Sequence, residues 1–136
     1  MAEKFKFELV TPERRLVAAE VESVTAPGEL GEFEVLPGHR PLLSLLKAGV
    51  LTLEQGGKPQ RVAVSGGYAE VSETGVRVLA ESAELSQEID LKRAEAALKN
   101  AEARMTELDP MAQAVDMAQA VAARDRAQAR IHAAAK

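Results

Sequence analysis

A chain of 136 residues, 46% hydrophobic and 28% charged, suits one or two small globular domains, and the absence of Cys removes disulfides, thiolate metal sites and cysteine nucleophiles. A net charge of -4 argues against a general nucleic-acid binder, which needs a basic surface for phosphate. No apolar run approaches the roughly 20 residues of a membrane helix, and the opening MAEKFKFELV lacks the apolar core and cleavage site of a signal peptide, so the expectation is a cytosolic chain that does not insert into a membrane.

Phe5, Phe7 and Leu9 alternate with Lys6 and Glu8, the period-2 pattern of a half-buried strand, and Val17, Ala19 and Val21 repeat it. Next comes GEFEVLPGHRPLL, Gly31 to Leu43. Pro37-Gly38 and Pro41 shape a turn here, with Leu42, Leu43, Leu45 and Leu46 as its apolar anchor and with Glu32 and His39 facing outward. Strands over Val50–Glu54 and Arg61–Ser65 flank the glycine turn Gln55-Gly56-Gly57-Lys58, and strands over Tyr68–Val71 and Val76–Ala80 flank Glu73-Thr74-Gly75. Short strands with glycine turns and no helical spacer predict an antiparallel β-sandwich or flattened barrel over residues 1–85.

The composition changes near residue 86. All nine Gly, five of six Pro and the four aromatics precede it, and an Ala-rich stretch follows, which predicts helix. Leu91, Ala94, Leu98, Ala101, Met105 and Leu108 recur at spacings of three and four, with Glu88–Lys92 and Glu95–Lys99 as expected i,i+4 ion pairs. Asp109-Pro110 resets the chain as an N-cap followed by a first-turn Pro. A second helix is expected from Pro110 to about Ala133, with a seam of Met111, Val115, Ala118 and Ala122. Two helices on so short a link form an antiparallel hairpin over 86–136. Its alanine contacts bury little area, so it is expected to be weakly held.

Three groups of residues carry candidate chemistry. Glu32, Glu34 and His39 have the residue types of a hydrolytic acid–base set. Such a site also needs a nucleophile and an orienting group, and the second His, His132, lies near the far end of the chain; a rigid recognition turn therefore fits better. At the seam, ELSQEIDLKRAEAA places Asp90 where it caps a helix, with Arg93 three residues on. The functional alternative is a nucleotide site, Arg93 reaching a phosphate and Asp90 accepting from a base or ribose. The end of the second helix carries Arg124, Arg126, Arg130 and Lys136 against Asp125 alone; this basic tip complements the helix dipole and also suits an acidic protein surface.

These pieces together resemble the epsilon subunit of the bacterial F-type ATP synthase. GEFEVLPGHRPLLSLLKAG, VSGGYAEV and LAESAELSQEIDLKRA occur in that family's order. The resemblance implies an α+β protein: an N-terminal sandwich of about ten strands that binds the stalk and c-ring, then a two-helix hairpin with a regulatory role. It also implies no active site and no required cofactor or metal. The partners it implies are the gamma subunit, the c-ring and transiently the alpha/beta hexamer, on the cytoplasmic face of the bacterial inner membrane. Glu32 and His39 fall on c-ring and gamma contact positions, and Arg124, Arg126 and Arg130 match a region that impedes ATP hydrolysis in some relatives. Asp90 and Arg93 match a motif that binds ATP as a regulatory ligand in others, although those carry a second Arg where this chain has Asn100. Glu34 and Arg40 replace a common Gly and Ala. The rival readings are an unrelated sandwich binding module with an oligomerising hairpin, and a small hydrolase built on Glu32 and His39.

Overall fold

The computed structural model describes residues 3–108 and 114–134. Eight strands precede the helices: β1 (Phe5–Val10), β2 (Arg15–Val21), β3 (Ser23–Gly28), β4 (Gly31–Val35), β5 (Leu42–Gln55), β6 (Lys58–Val71), β7 (Gly75–Ala80) and β8 (Ala83–Leu85). They pair in the order β2-β1-β7-β6-β5-β3-β4, with β8 added to β6. All neighbours are antiparallel except β1 and β7.

The alternation expected of β1 holds, since Phe5, Phe7 and Leu9 are buried while Lys6 is exposed. Apolar faces turned inward from both layers build the core, in which Phe7, Leu9, Val21, Val24, Leu51, Leu53, Val62, Val64 and Val78 are the largest fully buried side chains. A core of this β-branched and aliphatic kind packs well on a pleated surface.

Eight strands rather than about ten follow from the length of the central hairpin. β5 and β6 run for 14 residues each and stay paired from Leu42↔Val71 to Gln55↔Lys58. Gly56 and Gly57 form their turn at φ 62 and 77°, as a primed turn demands. Gly66-Gly67 looks like a second turn, but the strand bends through it at φ 112 and 123°. A Cβ on Gly67 would collide with the Leu79 carbonyl oxygen of β7, so only glycine lets β6 pass there. The bend also switches the inward parity: Val62 and Val64 are core residues before it, Ala69 and Val71 after it. β6 pairs with β8 on the first side and with β7 on the second, which carries it from one layer of the sandwich to the other.

After a 3₁₀ turn at Ser86–Glu88, helix α1 spans Leu91–Glu107 and helix α2 spans Ala114–Ala134. The expected cap at Asp109-Pro110 and the seam residue Met111 lie outside the described residues. The start of α1 (Asp90, Arg93, Ala94, Ala97) and the end of α2 (Arg130) line one groove, so the helices are antiparallel. In α1 the seam is as expected at Ala94 and Ala101, which are buried, with Leu98, Met105 and Leu108 half-buried and Leu91 exposed.

The α2 seam differs from expectation. Val115, Ala118 and Ala122 are exposed, whereas Ala120, Ala127, Ala129 and Ala133 are buried. Five positions separate Val115 from Ala120, a rotation of roughly 140° at about 100° per residue. Alanine on nearly every face leaves no amphipathic signal to choose between them. The ion pairs expected along α1 are also replaced. Glu88 stands in the 3₁₀ turn rather than on the helix and pairs with Arg14 at 3.1 Å, and Glu95–Lys99 is not among the ion pairs of the described residues.

Helix α2 lies over the outer face of the central hairpin. Ala129 and Ala133 pack on Ala63, with Val50 and Ile89 beside them; Val50 and Ala63 are cross-strand partners. Each buried methyl contributes on the order of 0.8 kcal/mol, so this contact holds the hairpin down by only a few kcal/mol.

Candidate interaction surfaces

Among the described residues no helix covers the opposite outer face. Cross-strand partners share a face, and the register joins Val10 to Leu79, Leu79 to Tyr68 and Tyr68 to Leu45. Their chain neighbours Leu9, Val78, Ala69 and Leu46 are core residues, so this row points outward. It forms the floor of an open groove of about 640 Å³ whose walls include Pro12, Gly66 and Glu81. Leu45 is 62% exposed, Leu43 67% and Tyr68 41%. The next row carries charge, with Glu8 bound to Arg77 at 2.9 Å and to Arg15 at 3.0 Å.

This corrects the sequence expectation for the leucines after Pro41. Leu46 alone is buried, while Leu42, Leu43 and Leu45 are exposed, as is Leu36 before the turn. The run LLSLL has no strict alternation, so its facing could not be read from the sequence; a contiguous patch of such side chains left in water on a sheet face marks an interaction surface.

Glu32 sits on edge strand β4 opposite Pro27 and is exposed. His39 does not face outward as expected. Its ring packs edge-on against Phe5, centroids 5.3 Å apart at 80°, and its Nδ1 is buried without a hydrogen-bond partner. Among the described residues no hydrogen bond joins His39 to Glu32 or Glu34, so the acid–base arrangement of a hydrolase is not assembled. The imidazole instead fixes the Pro37–Pro41 turn on the sandwich.

Asp90 is the N-cap of α1, its Oδ1 accepting from the Arg93 N–H at 3.1 Å. That contact leaves the Arg93 guanidinium unused. Arg93 and Asp90 line a groove of about 410 Å³ together with Glu84, Glu88 and Arg130. Asn100 is not in its wall. The structure thus brings Arg130, singled out with the basic tip, beside the pair singled out at the seam. Arg130 Nε meets Glu84 Oε1 of β8 at 3.2 Å. Arg124 donates from Nε and Nη2 to Asp125 at 3.2 and 3.1 Å. Arg126 lines a small pocket of about 130 Å³ with Ser65, Ser82 and Arg130.

A sandwich with one apolar outer face and a loosely docked helical hairpin defines an α+β protein with an open surface for a partner. Comparison with known proteins identifies which. Residues 4–86 match the ATP synthase Delta/Epsilon chain beta-sandwich domain, and residues 87–135 match the long alpha-helix domain of the same chain. The chain belongs to the ATP synthase delta/epsilon family, and it is a non-catalytic subunit of the F-type ATP synthase. It is 53% identical to the ATP synthase epsilon chain of Geobacter metallireducens over 110 residues, 81% of this chain and 80% of the relative. It is 48% identical to that of Geotalea uraniireducens over 136 residues, 100% of this chain and 97% of the relative. Among solved structures, a chain of the Euglena gracilis mitochondrial ATP synthase, OSCP/F1/c-ring, superposes with a TM-score of 0.81 at 28% identity, covering 98% of this chain and 82% of that one. A chain of the Tetrahymena thermophila central stalk and c-ring shares the fold at a TM-score of 0.65 and 13% identity, with 98% of each chain covered. Among the described residues no helix is long and apolar enough to cross a membrane.

Proposed function

We propose that this chain belongs to the rotating central stalk of a bacterial proton-translocating ATP synthase, on the cytoplasmic face of the plasma membrane, and helps couple c-ring rotation to ATP synthesis at the alpha/beta hexamer. Residues 1–85 act as the coupling domain and 86–136 as a regulatory one. The observation that carries the reading is the outward row Val10–Leu79–Tyr68–Leu45. An apolar surface across four strands, with Leu43 beside it, has the character of a buried interface core. Gamma is its partner in this reading. The exposed Glu32 edge reaches the polar loops of the c-ring, and His39 fixes the following Pro37–Pro41 turn by its contact with Phe5. Copurification with gamma and the alpha/beta hexamer tests it: recovery of the chain without them, or of the complex without the chain, overturns the assignment.

The hairpin adds two functions to this reading. Arg124, Arg126 and Arg130 are the inhibitory contacts toward acidic loops of the catalytic subunits; since Arg130 is tied to Glu84 and Arg124 to Asp125, the hairpin must leave the sandwich before Arg130 can act. Deleting residues 88–136 then raises ATP hydrolysis by the complex, and an unchanged rate removes the inhibitory role. The groove of Asp90, Arg93 and Arg130 is the site for a regulatory ATP. Arg93 and Arg130 stand at one opening among the carboxylates Glu84, Glu88 and Asp90; a phosphate forked by Arg93 that takes Arg130 from Glu84 bridges the two helix ends and favours the folded hairpin. Calorimetry on the isolated chain tests this, with no heat at millimolar ATP removing the site.

A further inference from the structure

The linker between sandwich and hairpin is held by a turn of the sandwich. Residues 11–14 join β1 to β2, and Thr11 locks them three times: its N–H donates to the Arg14 carbonyl at 2.9 Å, its hydroxyl lies 3.2 Å from the same oxygen, and the Arg14 N–H donates to that hydroxyl at 3.3 Å. Thr11 is one of two buried polar residues in the described chain. A turn so constrained presents its last side chain with little conformational freedom left to lose. That side chain is Arg14, whose Nη2 donates to Glu88 Oε1 at 3.1 Å. The same Glu88 oxygen accepts from the Leu85 N–H at 3.4 Å. One carboxylate therefore ties the end of β8, the 3₁₀ turn and the β1–β2 turn together, two residues before the cap of α1.

We propose that the Thr11–Arg14 turn is a strap that pins the linker through Glu88 and sets how readily the hairpin leaves the sandwich. The inference rests on the reading of residues 86–136 as a hairpin that undocks, and it assigns the element of the sandwich that governs that step. The contact beyond the strap is made of alanine methyls with Val50 and Ile89 beside them and one further ion pair, so a small contribution at the hinge is a large share of what holds the hairpin. Exposed pairs with a preorganised partner contribute modestly, enough to change an opening equilibrium about two- to fivefold. The strap also lies between surfaces, because Val10, Thr11 and Pro12 line the apolar groove while Arg14 reaches the linker.

Native-state hydrogen exchange on the whole isolated chain tests the strap without any synthase partner, so its outcome is separate from that of the stalk assignment. An undocked hairpin whose helices meet through alanine methyls buries little apolar area and is only marginally stable, so α1 and α2 amides exchange through undocking. Arg14→Ala and Glu88→Gln are each expected to speed exchange in both helices two- to fivefold, with the double variant no faster than the faster single one, while amides of Leu9, Leu51 and Val78 in the sandwich core stay as they were. Arg15→Ala, which removes a pair made within the sandwich to Glu8, is expected to leave the helices unchanged. Unaltered helix exchange in both single variants overturns the proposal. So do effects that multiply in the double variant, or acceleration that is equal in the sandwich core.

Discussion

Arg130, near the end of α2, and Glu84, in the short strand β8, meet at 3.2 Å and form an ion pair between the two parts of the molecule where the helical hairpin otherwise rests on methyl groups. Both side chains keep part of their exposure, 30% and 43%, so the pair is worth about 0.5–1 kcal/mol. Against an alanine contact of a few kcal/mol that share is large. Arg130→Ala is expected to increase cleavage of the hairpin by a protease two- to fivefold at low salt, and the difference from the unaltered chain is expected to shrink at 1 M salt, where screening is within a few Å. Equal cleavage at both salt concentrations would show that the pair does not hold the hairpin.

The methyl contact itself is tested at Ala133. It is 1% exposed and faces Ala63. Ala133→Glu buries an unpaired carboxylate, which undocking relieves more cheaply than unfolding of the sheet. Two separate thermal transitions are expected in place of a common one, the lower one carrying the helical circular dichroism and the upper one the sandwich. A single transition shifted as a whole would mean that hairpin and sandwich unfold as a unit.

Gly67 carries the bend of β6, with φ 123° and no room for a Cβ against β7. Gly56 has φ 62° in the open turn and nothing within 4 Å of a Cβ. Gly56→Ala is expected to destabilise by about 1 kcal/mol from backbone strain alone. Gly67→Ala adds a main-chain collision and is expected to lose about 3 kcal/mol or more, read as the midpoint of urea unfolding. Similar midpoints for the two variants would contradict the assignment of the bend to Gly67.

The difference between these two glycine pairs shows what was legible in the sequence. Gly56-Gly57 sits between strands of matching alternation and was readable as a turn. Gly66-Gly67 looks the same locally, and only its nearness to Leu79 in β7 makes it a bend inside a strand. The same limit hid the outward row. Leu45 reads as part of an apolar anchor by type, and the facing of Tyr68 is set by the parity switch at the Gly66-Gly67 bend in β6. In α2 the chemistry failed to encode the answer, since alanine on every side made Ala120 and Ala127 indistinguishable from Ala118 and Ala122. Of the site residues, Asp90 stood out because a cap is a local device. Arg130 beside Glu84 and Arg93 is a long-range contact that no local spacing announces, and His39 against Phe5 is another.

The outward row makes a prediction that separates folding from assembly. Tyr68 and Leu45 are well exposed, so Tyr68→Glu and Leu45→Glu are expected to change unfolding free energy by less than about 0.5 kcal/mol. In the middle of an apolar interface the same carboxylates would be desolvated without a partner, which weakens binding by about 2 kcal/mol or more each. Recovery with gamma in a pull-down should therefore fall more than tenfold while melting of the isolated chain is unchanged. Normal recovery of both variants would move the gamma contact to another face.

Asp90 serves two readings that one pair of variants can divide. As the N-cap of α1 it accepts from the Arg93 N–H, a role Asn fills about as well and Ala does not. Asp90→Ala is expected to lose about 1 kcal/mol of hairpin stability, seen as reduced helical circular dichroism on heating, while Asp90→Asn keeps it. The groove that Asp90 shares with Arg93 and Arg130 places different demands on the residue, because neither cap function nor helix content depends on the Arg93 guanidinium. Arg93→Ala is thus expected to keep the helices and to abolish the heat of ATP binding, with Asp90→Asn in between on the second measure. If Arg93→Ala binds ATP as the unaltered chain does, the phosphates lie elsewhere and the groove is only the seam between two helix ends.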